Sequence, residues 1–477
     1  MCLSVTAFAQ VTTSNIKGLV LDENSEPLPG ANVVAIHTPT GTKYGAATNF
    51  DGRYNLLNLR VGGPYTITIS YIGYKEQVFN DVFLTLGKTE NIDVSLVEDS
   101  QQLDTVVITG SGGTGTFGSD RTGAETSVGR RELTRLPTIN RSAADFTRLE
   151  PTASNGSFGG RNDQFNNFSL DGAIFNNPFG LDAATPGGQT DAQPVSLDAI
   201  DQIQVSTAPY DVTQSGFTGA AVNAVTKSGT NDFHGTVYGF YRNQDFTGSK
   251  VKGEDIFVPK LNQSQLGASI GGPIVKNKLF FFANLEIQRD EEPKPFDFST
   301  YQGLADAAKL SQLTNYLNSE YGYDPGGYEN NATTRTTDRF LFKLDWNIDP
   351  KNSLSARYSY VKGVEEDVLR PSNTSLPFAN AGVFFPSTTN SATVELKSTL
   401  SDNLFNKLVV GVTTVRDDRD ILGDVFPRVQ AQDGNATVIF GTDNFSYSNI
   451  VFQDVYTITD NLSISAGKHT FTVGTHN

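Results

Sequence analysis

Cysteine and methionine are almost absent from this chain of 477 residues, which contains only Cys2 and Met1 of these two types. A single cysteine excludes an internal disulfide framework and a thiolate metal site. No apolar run reaches the roughly 18 residues that a membrane-spanning helix needs. A search for long apolar runs does not detect membrane β-barrels, because the alternating polar and apolar residues of their strands average to a polar composition. The high content of glycine, phenylalanine and tyrosine is typical of β-rich envelope proteins.

Features that would indicate an enzyme or a nucleic-acid-binding protein are also missing. The net charge of −16 argues against nucleic acid as a partner. The glycine-rich stretch at residues 110–118 lacks the Lys-Ser/Thr pair of a phosphate-binding loop. The four histidines are scattered and have no metal-ligand spacing, apart from the distant pair His469 and His476. The acidic run around Asp417 is flanked by arginines and indicates a solvated segment. We therefore predict no catalytic residues, cofactor or metal, and do not expect an enzyme.

The first two segments of the chain are a targeting sequence and a small domain. Residues 1–10 read as a truncated signal peptide, because Ala7-Phe8-Ala9 is a typical cleavage pattern. Residues 14–97 contain short strands separated by turn residues such as Asp51-Gly52, which predicts a small β-sandwich. The only histidine in this segment, His37, is expected to lie in an exposed turn.

The sandwich segment also carries a family pattern. Its motif G-x-V-x-D…PLPGA-x-V…DG-x-Y resembles the carboxypeptidase regulatory-like domain. The residues that match are Gly18, Val20, Asp22, Pro27 to Ala31, Val33, Thr48, Asp51, Gly52, Tyr54 and Tyr74. Despite the name, the resemblance does not imply peptidase activity, and no catalytic set accompanies it.

Residues 115–229 read as a mixed α+β domain, and their motifs resemble the plug domain of TonB-dependent outer-membrane receptors. The combination with the preceding sandwich is most similar to the Oar-like branch of Bacteroidetes-type receptors. The plug-motif residues that we single out are Asp171, Gly172, Ile203, Val205, Pro209, Gly219, Asn223, Thr226 and Gly229.

Residues 230–477 show repeated alternation of polar and apolar side chains. In one strand Ala392, Val394 and Leu396 share a face, opposite Thr393, Glu395 and Lys397. Alternation alone fits both a membrane barrel and a soluble sandwich, and the plug resemblance favours the barrel. About ten strands are expected here, whereas a barrel around a plug needs about twenty-two. We therefore interpret the segment as the N-terminal part of a transmembrane β-barrel, and the chain as a fragment.

The linker at residues 98–114 contains an isolated strand-like stretch, LDTVVITG. Its β-branched residues favour an extended conformation, and it stands where the resemblance places the TonB box. The predicted box comprises Asp104, Thr105, Val106, Val107, Ile108 and Thr109. Such a segment binds by β-augmentation, in which a peptide adds to the sheet edge of a partner. The alternative is that Val106–Ile108 forms the last strand of the sandwich.

The resemblance implies a TonB-dependent transporter in the outer membrane of a Gram-negative, Bacteroidetes-like bacterium. The sandwich and the TonB box would lie in the periplasm, where the C-terminal domain of TonB, energised by ExbB/ExbD, would pull on the box. Outer-membrane lipid and an unknown substrate are further expected partners, and a surface lipoprotein is a candidate. Two alternatives stay open, a secreted adhesion or glycan-binding protein and an Oar-like receptor that serves export.

Overall fold

A computed structural model describes residues 11–99, 106–109, 123–138, 141–154, 156–176, 185, 190, 192–209, 213–214, 216–256 and 258–476. The predicted signal segment at residues 1–10 lies outside the described residues. So do Asp104 and Thr105 of the predicted TonB box. The chain is mostly β and contains the predicted sandwich, plug and barrel wall.

The N-terminal unit is a sandwich of two sheets. Its strands are β1 Thr13–Leu21, β2 Asn32–His37, β3 Thr42–Ala47, β4 Arg53–Arg60, β5 Gly62–Ser70, β6 Gln77–Leu84, β7 Thr89–Asn91, β8 Val94–Ser95 and β9 Val106–Thr109. One sheet has the order β4-β1-β7, with β8 also beside β1, and the other has the order β3-β2-β5-β6-β9. The alternating residues Tyr65, Ile67 and Ile69 point into the core between the sheets and are fully buried.

The expectation that His37 is exposed is wrong. This residue ends β2 and is only 5% exposed, because its ring packs against Tyr65 at 5.0 Å between centroids. Its Nδ1 forms a hydrogen bond of 2.7 Å with Thr40 Oγ1. Burial, together with the nearby charges of Arg60 and Arg130, lowers the pKa of His37 to about 3. The buried ring is therefore neutral at physiological pH.

The buried His37 predicts a pH dependence of the sandwich. In the unfolded chain this histidine takes up a proton below pH 6.5, whereas the folded form resists protonation down to about pH 3. The free energy of unfolding of the sandwich therefore falls as the pH drops below 6.5, and this decrease levels off below about pH 3. Between pH 7 and pH 5 we expect the opening free energy of β2 to fall by about 2 kcal/mol. Hydrogen–deuterium exchange of β2 peptides measures this change, and the variant His37→Gln should lose most of it. An equal decrease in both proteins would contradict the prediction.

The second unit is a small mixed domain built around one sheet. Its elements are β10 Gly123–Val128, α1 Arg130–Arg135, α2 Ala144–Thr147, β11 Ala153–Ser154, β12 Ser157–Phe158, β13 Asn167–Leu170, β14 Ala173–Ile174, β15 Ile200–Pro209 and β16 Ala221–Thr226, with 3-10 helices at Asp163–Phe165 and Leu197–Ala199. The sheet order is β10-β15-β16-β13-β14. Its core includes Phe146, Phe168, Leu170, Ile203 and Val205, all buried.

The third unit is one large antiparallel sheet of nine strands with folded connections. Its elements are β17 His234–Asn243, β18 Lys250–Val251, β19 Glu254–Asp255, β20 Asn262–Val275, β21 Leu279–Pro293, α3 Ala307–Tyr321, β22 Ala332–Asn347, β23 Asn352–Asp367, β24 Ser375–Pro377, β25 Val383–Ser401, β26 Leu404–Ile421, β27 Val429–Asp433, β28 Ala436–Phe440, β29 Asn449–Ala466 and β30 His469–His476, with 3-10 helices at Gln244–Phe246, Phe298–Thr300 and Ala379–Ala381. The order in the large sheet is β17-β20-β21-β22-β23-β25-β26-β29-β30.

The two faces of this sheet differ in polarity in the direction expected of a membrane barrel. Thr393 and Glu395 are buried on the face that meets the plug, whereas Val394 is 43% exposed on the other. On the next strand Val409 is buried and Val410 is 45% exposed. Apolar residues thus cover the outer face, as lipid contact requires. Within the described part of the chain, no helix has both the length and the apolar character needed to cross a membrane.

Connections between neighbouring strands are short at one end of the sheet and long at the other. Short turns join β20 to β21, β22 to β23, β25 to β26 and β29 to β30. Three of the long connections, residues 294–331, 368–382 and 422–448, pack together around a core of their own, which α3 covers. This core consists of Leu310, Leu317, Tyr323, Leu376, Phe378, Val438 and Phe440. These connections therefore form a folded cap at this end of the sheet.

Candidate functional site: the plug contacts and the predicted TonB-box strand

The predicted plug-motif pair Asp171-Gly172 forms the turn between β13 and β14. Both residues have positive φ, 48° and 80°, as the two central residues of a tight hairpin turn require. Aspartate is one of the few side chains that tolerate this conformation. The turn presents the Asp171 carboxylate to the neighbouring strand β16 and to the barrel wall.

Asp171 is the centre of a buried ion cluster between plug and barrel. Its two carboxylate oxygens accept hydrogen bonds from Thr226, one from the backbone N–H at 2.9 Å and one from Oγ1 at 2.6 Å. Lys343 Nζ on β22 and Arg357 Nε on β23 each lie 3.2 Å from the carboxylate. Burial alone would raise the pKa of Asp171, but the two cations and Thr226 outweigh it and hold the pKa below its usual value. The plug motif is therefore fastened to the barrel wall by charge.

A second buried ion pair attaches another part of the plug. Glu286 on β21 and Arg339 on β22 contact each other directly and are almost completely buried. Ser196 of the plug donates to Glu286 Oε2 at 2.8 Å, and Arg339 Nε donates to the carbonyl of Gln193 at 2.8 Å. Charges on the inner face of the barrel thus meet polar groups of the plug at two separate places.

The remaining plug-motif residues shape the sheet itself. Asn223 is fully buried and connects three strands, because its Oδ1 accepts from Ser169 at 2.7 Å and its Nδ2 donates to Gln204 at 3.3 Å. Pro209 ends β15 opposite Gly123. A Cβ at Gly219 would lie 2.2 Å from Asn166 Oδ1, so this glycine provides space beside β16.

Gly229 lies where the chain leaves the plug and enters the barrel. A Cβ at this position would lie 2.3 Å from the carbonyl oxygen of Phe281 and 2.6 Å from that of Gly272. Both are backbone atoms of adjacent strands, β21 and β20, and cannot turn aside as a side chain could. The chain therefore passes so close to the barrel strands that only glycine fits without a shift.

The sandwich packs against both other units at the short-turn end of the barrel. Arg60 Nη2 lies 2.7 Å from Asp345 Oδ1 of β22. Gln202 of the plug accepts from the Leu86 N–H at 2.8 Å and donates to the Leu84 carbonyl at 3.1 Å. A cavity of about 1380 Å³ lies between the three units, and Asp171, Lys343, Arg357 and Arg60 are among its lining residues. The Asp171 cluster thus borders space that water can enter.

The predicted TonB box is described over Val106–Thr109, which form β9. This strand runs parallel to β6, with Gln77 opposite Val106 and Asn80 opposite Thr109. It is therefore an edge strand of the sandwich sheet, the position that the alternative interpretation of the sequence predicted. β8 lies in the other sheet beside β1.

Sequence reasoning missed the barrel residues that hold the plug. The alternation of polar and apolar residues in β22 and β23 places Lys343 and Arg357 on the polar faces of their strands. Nothing local to either residue indicates Asp171 as its partner. Glu286, Arg339 and Arg60 were not singled out at all. In the described residues, no group of three or more His, Cys, Asp or Glu side chains is placed to hold a metal ion.

Comparisons with known proteins agree with this architecture. A family model described as the outer membrane beta barrel domain matches residues 225–327 and 297–476. These matches cover more than half of the chain. The chain belongs to the outer-membrane β-barrel family. A second family model, the carboxypeptidase regulatory-like domain, matches residues 15–97.

Individual relatives of this outer-membrane β-barrel protein are TonB-dependent. The TonB-dependent transporter Oar of Myxococcus xanthus is 29% identical over 298 residues, which are 58% of this chain and 27% of Oar. The TonB-dependent receptor SusC of Bacteroides thetaiotaomicron is 37% identical over 138 residues, which are 29% of this chain and 12% of SusC. In its matched regions the chain thus spans about a quarter or less of these relatives.

A solved structure supports the fold. The outer membrane transporter YddB from Escherichia coli aligns with a TM-score of 0.51 at 13% sequence identity, covering 73% of this chain and 47% of YddB. The resemblance to TonB-dependent outer-membrane receptors of the Oar-like branch, with a leading carboxypeptidase regulatory-like domain, is confirmed. The protein is accordingly an outer-membrane protein.

Proposed function

We propose that the chain forms the gate of a TonB-dependent outer-membrane transporter, and that force on Asp104–Thr109 displaces the plug. The observation that carries this function is the charged contact between plug and barrel wall, in which Asp171 meets Lys343 and Arg357. A plug held by a few buried polar contacts can be released without unfolding the barrel, because each strand of the wall keeps its own hydrogen bonds to its neighbours. Displacement of the plug would open a path along the inner face of the wall.

The difference between the two ends of the barrel wall supports a periplasmic position of the sandwich. Short turns and the sandwich lie at one end, and the long connections with α3 lie at the other. Outer-membrane barrels have short turns on the periplasmic side and long loops outside. We therefore assign the sandwich and β9 to the periplasm of a Gram-negative, Bacteroidetes-like cell. There the C-terminal domain of TonB, energised by ExbB/ExbD, can reach them.

An adhesion or glycan-binding protein made of soluble sandwiches is the competing function. A soluble sandwich buries apolar side chains between its sheets and exposes polar ones. The large sheet has the reverse arrangement, with Val394 and Val410 exposed and Thr393 and Glu395 buried. This inversion favours the transporter.

The proposal is tested with a synthetic peptide of residues 98–111 and the purified C-terminal domain of TonB from the same organism. We expect saturable binding, measured by calorimetry or fluorescence anisotropy. The control peptide carries Val107→Pro, since proline removes a backbone donor that β-augmentation needs. If neither peptide binds, or if the proline peptide binds equally well, the assignment of the TonB box is wrong.

A further inference from the structure

Strand β9 occupies the free edge of β6. Val107 is the Cα partner of Val78, and Ile108 is the partner of Phe79, in a parallel pairing of four residues. The other edge of β6 is taken by β5, which pairs with it antiparallel. One edge of the described part of the predicted TonB-binding segment is therefore already paired within its own chain.

The same physical interaction would bind this segment to β6 and to TonB. An exposed sheet edge presents a row of unpaired N–H and C=O groups, and an extended peptide satisfies them through its own backbone. Both partners would pair with the backbone of one segment of four described residues. Pairing with β6 covers one edge of β9, and the second edge has no partner in the described sheet. The two partners compete when TonB pairs with the edge that β6 covers, and the inference commits to that edge.

We propose that β6 is the docking edge for the chain's own TonB box, and that TonB must displace β9 from β6 before it can pull on the plug. This inference rests on the proposed function, because it takes Val106–Thr109 as part of the TonB-binding segment. The sandwich then determines the fraction of molecules in which the box is available to TonB.

The connections of β9 allow this exchange. Leu96, Val97 and Asp99 stay bound to the sandwich through backbone hydrogen bonds. Six further residues, 100–105, lead to β9, and six residues of extended chain can span about 20 Å. The box can therefore leave β6 while the sandwich stays folded. Four residue pairs at a sheet edge also form a unit of low local stability.

The direction of force depends on whether β9 is docked. While β9 is paired with β6, a pull on it also loads the sandwich. The sandwich is attached to the barrel by Arg60 and Asp345 and to the plug by Gln202. After release, residues 110–122 transmit the pull directly to β10, the first strand of the plug sheet. Undocking thus directs the force from the sandwich to the plug.

Cysteine cross-linking of the full chain tests the docking. The variant Val78→Cys/Val107→Cys, made with Cys2→Ser, places two thiols on Cα partners. Neighbouring strands are about 4.8 Å apart, within the Cα separation that a disulfide accepts. The control Gln77→Cys/Thr109→Cys is offset by three residues, which separates the Cα atoms by about 10 Å, beyond disulfide reach. We expect mild oxidation to cross-link the first variant and not the second.

Binding to TonB then tests the competition. The oxidised first variant should lose binding to the TonB C-terminal domain and recover it on reduction, and the single variant Val107→Cys should bind throughout. The full wild-type chain should bind about tenfold more weakly than the peptide of residues 98–111, because only the undocked fraction is competent.

Two outcomes would overturn the inference. One is equal cross-linking of matched and offset pairs, and the other is undiminished TonB binding by the cross-linked chain. A peptide that does not bind TonB at all would overturn the proposed function instead, while the cross-linking result would still decide whether β9 docks on β6.

Discussion

Replacing Asp171 by asparagine is expected to destabilise the plug by about 3 kcal/mol. The substitution keeps the shape of the side chain but leaves Lys343 and Arg357 buried without the carboxylate that neutralises them. Removal of one partner from a buried ion pair usually costs about 3–5 kcal/mol. We expect the lower end of that range, because the cluster borders the cavity between the three units and water can solvate the remaining cations.

Hydrogen–deuterium exchange of β13 and β16 peptides in the detergent-solubilised protein measures this effect. The matched control is Asp201→Asn, which removes a carboxylate 2.8 Å from Arg130 on the plug. Arg130 is 61% exposed, so this pair contributes at most about 1 kcal/mol. If the backbone amides of β16 are equally protected from exchange in the two variants, the Asp171 cluster does not hold the plug.

Replacing Gly229 by alanine is expected to prevent assembly of the junction between plug and barrel. The added Cβ would lie 2.3 Å from the Phe281 carbonyl oxygen and 2.6 Å from that of Gly272. Relief of these overlaps requires β20 or β21 to move, and both are paired on each side along the sheet. Overpacking typically costs about 1–3 kcal/mol, and we expect the upper end of that range because the opposing atoms belong to the backbone.

The folded fraction is read from heat-modifiable gel mobility of the membrane-inserted protein. Gly239→Ala is the matched control, because a Cβ there meets nothing closer than a Leu266 side-chain carbon at 3.8 Å. We expect Gly239→Ala to fold like the wild type and Gly229→Ala to yield little folded band. A normal folded fraction for Gly229→Ala would contradict the close approach at the junction.

The polarity of the barrel strands was predictable from sequence, but their contacts were not. Alternation assigned Lys343 and Arg357 to one face, because successive side chains in a strand point to opposite faces. Their partner Asp171 lies far away in the chain and in another domain. Only the insertion of the plug beside the wall brings the three charges together, so no local pattern could identify the cluster.

The predicted TonB box shows a different limit of sequence reasoning. A run of β-branched residues favours an extended strand whichever sheet it joins. The two interpretations of Val106–Ile108, as a strand for TonB or as a strand of the sandwich, therefore had the same local support. The pairing of β9 with β6 depends on the free edge that the sandwich presents, and this edge exists only in the folded domain.

His37 was mispredicted, and the folded cap was not predicted, for a related reason. A histidine beside turn residues usually faces solvent, but the ring of Tyr65 on the neighbouring strand covers His37. Residues 294–331 are polar on average, yet α3 buries Leu310 and Leu317 against Phe378 and Phe440 from other connections. In both cases the burying side chain comes from a distant part of the chain.

The amino-acid sequence by itself determined the β-rich class, the order of sandwich, plug and barrel wall, and the two faces of the barrel strands. The class and the two faces depend on local composition and on a period of two residues, whereas the order of the units follows from the family motifs that the sequence resembles. Tertiary structure alone decided that Asp171 meets two cations, that Gly229 faces backbone atoms, and that β9 pairs with β6. Each of these contacts joins residues that are far apart in sequence. Ion pairs, close backbone approaches and strand pairings of this kind form only when the chain folds and its units pack together.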